Sequence, residues 1–468
     1  MSGLCSAVLL AEAGWKVTVF EQHAVPGGLL QRFKRGRRWF DTGMHFITGS
    51  QPGGIFRRIL ARLQVLDQVE FLPLDTRRQF TVRVPEVGEL DVPTGIAAGL
   101  GALRSRWPEQ AAGLDRFTER LFATLVAYGW LDSLAPPGTP PAPELDHQRT
   151  VAEVLAECGI TGPCARLVGS LSSILAQRAE HCPFPLFCTF AGSGLAGAWR
   201  VRHGGTGLVD PLIARLRSLG GELHLRNGVA AIRHADRVAS AVVDERGVEH
   251  PVDAVVGSCH PAEVIRLAGS GGFRPSFISK VAETPDSASA LIVFIELSAH
   301  AGIGPSHQFS RLPTGEDLYY VAPADFDPGE LPSLEAMVWI PAGDAAPWRD
   351  SRLGQRPEAY LEWKRDWEHR LVEQVCFHHP HLRPLIGRVW SSSPLTIRDY
   401  IRSRGGGAMG LSHDVGWLGS APLSMRNHLR NVFLVGQSVG HPGVLGTSIA
   451  AFALVGSLTG RDLRADLV

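Results

Sequence analysis

The sequence predicts an α/β chain: a Rossmann-like dinucleotide-binding domain that lacks its first strand, interleaved with an α+β substrate domain. Three observations lead there. Gly3 opens a small-residue, apolar helix, and Glu21 stands eighteen residues later at the end of the strand that follows. Beyond Gly204-Gly205-Thr206-Gly207 the chain returns to helix alternating with strand. Near the C-terminus a strand, a glycine-rich turn and another apolar helix restate the same style.

Size and charge set the bounds. A chain of 468 residues exceeds one ordinary hydrophobic core, so two or three domains are expected. Lys plus Arg and Asp plus Glu are 46 each, so no net field recruits nucleic acid or an anionic surface. No run of about 18 apolar residues occurs, which argues against a spanning helix and leaves peripheral membrane contact open. The 7 cysteines lack a C-x-x-C pair and no signal peptide precedes them, which fits a reducing, cytoplasmic setting. Cys376, His378, His379 and His381 read as a solvated loop rather than metal ligands, and no metal is expected. The basic run Arg32, Lys34, Arg35, Arg37, Arg38 reads as solvated surface.

Element by element, Gly3 to Ala11 is helical and Gly14 ends it. Trp15 to Phe20 is a strand rich in β-formers. The Pro-rich stretch around Pro136 to Pro141 is an exposed loop. Val151 to Gln177 is helical, and Pro183 to Trp199, with Phe184, Phe187 and Phe190, is buried core or the lining of a substrate tunnel. Then come a helix over Leu208 to Leu219, strands at Glu222 to Leu225 and Val229 to Ile232, and a hairpin of Val238 to Val243 with Val252 to Val256. A charged helix spans Pro357 to Phe377. Strand Val432 to Val435 and helix Thr447 to Leu458 close the chain.

The chemistry lies in the turns. A glycine-rich turn admits a pyrophosphate to the N–H groups of a helix start, and the acid closing the next strand takes a ribose hydroxyl. Gly3 and Glu21 fit the third glycine and that acid, which places the earlier glycines and the first strand upstream of Met1. Glu21 leads into Gln22-His23-Ala24-Val25-Pro26-Gly27-Gly28-Leu29, then Phe40-Asp41-Thr42-Gly43-Met44-His45. An acid, a Pro-Gly-Gly turn and a downstream F-D-x-G-x-H closely resemble the N-terminal FAD signature of the phytoene desaturase, carotenoid isomerase and retinol saturase family. Val435-Gly436-Gln437-Ser438 with His441-Pro442-Gly443-Val444-Leu445-Gly446-Thr447 resembles its closing motif.

The resemblance implies an FAD-binding domain of glutathione reductase type on residues 1–75, 200–270 and 400–468. Residues 76–199 and 271–399 would form the substrate domain with a helical cap. It implies FAD contacts from Gly3, Glu21, Gln22, Gly27, Gly28, Leu29, Thr42, Gly43, Val229, Gly436, Gln437, Gly443, Gly446 and Thr447. The expected activity is desaturation, saturation or isomerisation of a long apolar isoprenoid, with NAD(P)H or a quinone as electron partner. His45 is the candidate for proton transfer, because imidazole changes charge near neutral pH. A flavin amine oxidase and a remnant that no longer holds FAD are the rival readings.

Overall fold

The computed structural model describes residues 1–85, 87–327, 329–419 and 422–467. Seven elements build its dinucleotide-binding part: α1 (Ser2–Glu12), β1 (Thr18–Glu21), α2 (Thr206–Ser218), β2 (Glu222–Leu225), β3 (Val255–Gly257), β4 (Val432–Leu434) and α3 (Gly443–Thr459). α1 carries no charge before Glu12 and is buried from Leu4 to Ala11, packed against α2 and α3. Gly14, at φ +88°, turns the chain out of it into β1. β1 runs parallel to β2, with Thr18 opposite Glu222 and Glu21 opposite Leu225. β3 runs parallel to β4, with Val255 opposite Val432.

These are two separate parallel pairs; among the described residues no strand joins them. Val19, Phe20 and Leu223 of one pair and Val255 and Val256 of the other line a shared cavity of about 310 Å³. The two pairs thus face each other across that cavity.

A seven-stranded mixed sheet forms the second part, in the order Ile386–Ser391, Ser289–Leu297, Ser333–Ile340, Asp317–Val321, His307–Arg311, Phe80–Val84, Gly88–Val92. The strands Ser289–Leu297 and Ser333–Ile340 read as apolar runs because both faces are covered. Leu291, Val293 and Ile295 pack with Trp367, Leu371 and Val375 of the helix Glu358–His378. The alternate residues Ala290, Ile292 and Phe294 face the other way, with Tyr319 and Met337, toward the dinucleotide-binding part. Helices between Ile96 and Ala196 cap that side. One of them, Val151–Glu157, starts on a reciprocal Thr150/Glu153 cap.

Several sequence expectations are corrected. Val238–Asp244 pairs with Glu249–Pro251, Val252 adds one bond to the Ser240 carbonyl, and Val255–Gly257 pairs instead with β4. α3 begins at Gly443, one turn before Thr447, since Pro442 can precede a helix but not continue one backwards. Cys376 and His378 end a helix rather than lie in a solvated loop; His378 bonds Ser310 Oγ at 2.7 Å and His379 bonds Tyr320 OH at 3.1 Å. Burial pushes both imidazoles down to about 4. In the basic run, Arg32 is buried against Asp41 and Glu330, and Arg38 reaches Glu296 at 2.6 Å. Among the described residues no helix is long and apolar enough to cross a membrane.

Candidate active site

Two adjoining cavities make one elongated groove between α1, the Pro26–Leu30 turn, β3 and the start of α3. The first, of about 310 Å³, is lined by Gly3, Glu21, Gln22, Gly27, Gly28 and Val229. The second, of about 230 Å³, is lined by Gly27, Gly28, Leu29, Thr42, Gly43, Gly436, Gln437, Gly443 and Thr447. Met1, Ser2, Gly27, Gly28, Ser258, Cys259 and Ile401 belong to both. Thirteen of the fourteen residues expected at a cofactor therefore border one groove. Gly446 does not: a Cβ there would press on the His441 backbone 2.5 Å away, so helix packing requires that glycine.

The walls are backbone. Gly27, Gly436 and Gly443 hold φ of +113°, +125° and +79°, a region that side chains oppose. A Cβ at Gly436 would also come within 3.2 Å of the Ser258 carbonyl. The polar side chains mostly hold these turns in place. The Thr42 hydroxyl donates to the carbonyls of Leu29 and Gln31 at 3.1 and 2.8 Å. Gln437 Oε1 accepts the Gly443 N–H at 2.6 Å, and Gln22 Nε2 donates to the Tyr400 carbonyl at 3.1 Å. Glu21 accepts from the His23 N–H at 2.8 Å, and burial raises its pKa against that bond. No side chain caps α1, so its first N–H groups can serve an anion or a carbonyl, whereas in α3 the Gly443 N–H is already taken by Gln437.

Beyond Gly43 and Gly443 the groove meets a third cavity, of about 130 Å³, walled by Ile47, Ile174, Phe190, Leu318, Leu445 and their neighbours. Met44 and Met337 line this cavity and the groove. Trp339 and Met409 border those and a larger vestibule of about 1150 Å³ with mixed polar and apolar walls. Phe184 and Phe187 are core, whereas Phe190 reaches the cavity.

His45 is part of the cavity wall and of a buried charge network beneath it. Its Nδ1 lies 3.0 Å from Glu335 Oε2, off the line of a hydrogen bond. Glu335 also accepts the Asp41 N–H at 2.8 Å. Asp41 meets Arg200 at 2.6 Å and Arg32 at 3.2 Å. Burial would raise the Asp41 carboxyl, but Arg200 and Arg32 hold it below the usual range. The Asp41, His45 and Glu335 ligand atoms lie within 4.8 Å of one another, close enough for a cation. The two guanidiniums already neutralise the Asp41 side of that cluster.

Sequence reasoning missed Arg200, Tyr319, Glu335, Met337, Trp339 and Met409. One signal was available: Glu335 interrupts the apolar run Ser333–Ile340, and an acid inside a two-sided buried strand needs a partner.

The groove fits a long nucleotide. Its glycine walls leave room where a Cβ would intrude, its middle lies at a helix start, and an acid and an apolar cavity stand at opposite ends. Residues 1–362 match the family described as flavin containing amine oxidoreductase. Among curated proteins, the all-trans-retinol 13,14-reductase of Macaca fascicularis is 23% identical over 531 residues, covering 99% of this chain and 85% of its own length. The all-trans-zeta-carotene desaturase of Myxococcus xanthus is 34% identical over 123 residues, 25% of this chain and 22% of that protein. An oxidoreductase structure from Methanosarcina mazei superposes with TM-score 0.69 at 14% identity, covering 97% of each chain. Wild-type putrescine oxidase bound to putrescine gives 0.67 at 13%, covering 98% of this chain and 97% of that one. The fold is thus shared from end to end, and the chain belongs to the flavin-containing amine oxidoreductases, with FAD as its cofactor.

Proposed function

We propose that this flavoenzyme adds hydrogen to, or removes it from, the carbon–carbon double bonds of a long apolar isoprenoid. The observation that carries the reading is the apolar cavity joined to the glycine-walled groove at Gly43 and Gly443. The names of its relatives, a retinol reductase and a carotene desaturase, support the same substrate class. An ammonium substrate finds less there: Asp317 at the cavity edge is engaged by Arg311 at 2.9 Å.

In this reading residues 1–75, 200–270 and 400–468 form the cofactor domain, and 76–199 with 271–399 form the substrate domain and cap. Glu21 would take a ribose hydroxyl and Val229 would meet the adenine end. The N–H groups at the start of α1, with Gly27 and Gly28, would hold the pyrophosphate. Thr42, Gly43, Gly436, Gln437, Gly443 and Thr447 would hold the ring end. FAD, when bound, supplies the two-electron chemistry. The polypeptide holds the hydrocarbon in a dry cavity beside it, and His45, backed by Glu335, holds the proton that the carbon skeleton gains or loses. A nicotinamide or quinone as electron partner, contact with a membrane surface and a cytoplasmic setting complete the proposal.

The test is anaerobic. Photoreduced protein is mixed with retinol, and oxidised protein with phytoene or with amines. Reoxidation of the flavin by retinol, or its reduction by phytoene, supports the reading; reduction by amines with both isoprenoids inert overturns it.

A further inference from the structure

One polar pair at the apolar cavity has a direction built into it. Tyr319 lines the cavity, and its hydroxyl lies 2.6 Å from Nδ1 of His307. His307 is fully enclosed, with the rings of Phe46, Phe326 and Phe80 at 4.7, 5.3 and 6.3 Å, and its Nε2 has no hydrogen-bond partner. Burial, with His45 and Arg200 nearby, drives its pKa well down, so the ring is neutral and carries one N–H. On Nε2 that proton would be sealed among phenyl rings. On Nδ1 it is donated to the Tyr319 oxygen, leaving only an orphan lone pair, which protein interiors tolerate better than an orphan N–H. The Tyr319 hydroxyl then has its own proton to give. Among the described residues no carboxylate or carbonyl accepts it, and burial keeps the phenol protonated.

We propose that Tyr319, oriented by His307, is a specificity-determining hydrogen-bond donor that grips a terminal oxygen of the isoprenoid, a hydroxyl or a carbonyl. The inference rests on the isoprenoid reading above. Because the cavity meets the groove at Gly43 and Gly443, an oxygen held there brings the double bonds nearest to it toward the ring end of the cofactor site. Selectivity for an oxygenated end over a plain hydrocarbon then comes from one buried donor that only the oxygen can satisfy.

The experiment uses the FAD-loaded protein and two probes: all-trans-retinol, and the same hydrocarbon with a terminal methyl in place of its hydroxymethyl group. Binding is read from quenching of tryptophan fluorescence, Trp339 being part of the cavity wall. The wild type is expected to favour the alcohol about tenfold, the net worth of one buried hydrogen bond. Tyr319→Phe, with an unchanged melting temperature, should erase that preference while leaving hydrocarbon affinity as it was. His307→Phe, which keeps the aromatic box, should weaken the preference without erasing hydrocarbon binding. A preference that survives Tyr319→Phe, or equal binding of the two probes by the wild type, overturns the anchor alone. If neither probe binds, the isoprenoid reading fails with it.

Discussion

The groove and the cavity it meets are made of different materials. The groove is walled by backbone, with Gly27, Gly436 and Gly443 at φ near or above +80° and turns tied by Thr42, Gln22 and Gln437. The cavity and its floor are made of side chains from distant segments: His45, Arg200, Tyr319 and Glu335 share no local stretch of sequence. A backbone wall recognises a shape common to many relatives, whereas a side-chain wall can be rewritten residue by residue. The difference teaches where this protein keeps its generic chemistry and where it keeps its selectivity.

The largest effect should come from breaking the floor. Arg200→Met removes the 2.6 Å partner of the buried Asp41 and leaves it only Arg32 at 3.2 Å, so a loss of roughly 3 kcal/mol is expected, read by chemical denaturation. A double variant that also makes Asp41→Leu should recover part of it; no recovery would mean that the pair is not the source. The matching break in the groove is Gly436→Val. A branched side chain at φ +125° and a Ser258 carbonyl 3.2 Å from the new Cβ should cut bound flavin to below about a tenth, while the melting temperature falls far less than for Arg200→Met. Normal yellow protein from that variant would refute the backbone-wall description.

Acid sharpens the comparison. Burial pushes His413 to about 4 and His441 to about 3, near the start of α3. The unfolded chain takes up those protons near 6.5, before the folded one does, so stability should fall as pH drops from about 6.5 toward 4 and stay flat above. Each imidazole contributes roughly 2 kcal/mol at about pH 5. Melting temperatures across that range check the sign, and His413→Asn should flatten the slope. The smallest effect is expected from Glu21→Gln, which should weaken FAD about tenfold in a titration of the apoprotein and leave substrate selectivity alone.

The two regions were also unequally legible. The groove could be read because its residues sit in short, contiguous turns whose glycines serve one backbone purpose, and thirteen of the fourteen expected contacts lie along it. Gly446 misled because a glycine that lets a helix pack against His441 looks the same in sequence as one that admits a ligand. The floor stayed hidden because its ion pairs join residues such as Asp41 and Arg200, and no periodicity encodes a partner so far along the chain. Arg32 was read as surface for the same reason: its compensation by Asp41 and Glu330 exists only once the chain has folded. Strand pairing failed at Val252–Val256, where a nearby partner looked cheaper than β4, far along the chain.

Met44, Met337 and Met409 gather where the groove, the cavity and the vestibule meet. Thioethers bend to whatever curvature a ligand presents, so this junction can admit differently kinked chains without rebuilding its walls. The same sulfurs line the groove that would hold FAD; a flavin reduced by its electron donor would pass two electrons to oxygen and give peroxide when no acceptor substrate is bound, and each sulfoxide formed would turn a greasy gate polar. Idle turnover in air would then wear the enzyme out from its own doorway, a self-inflicted ageing that substrate supply should delay.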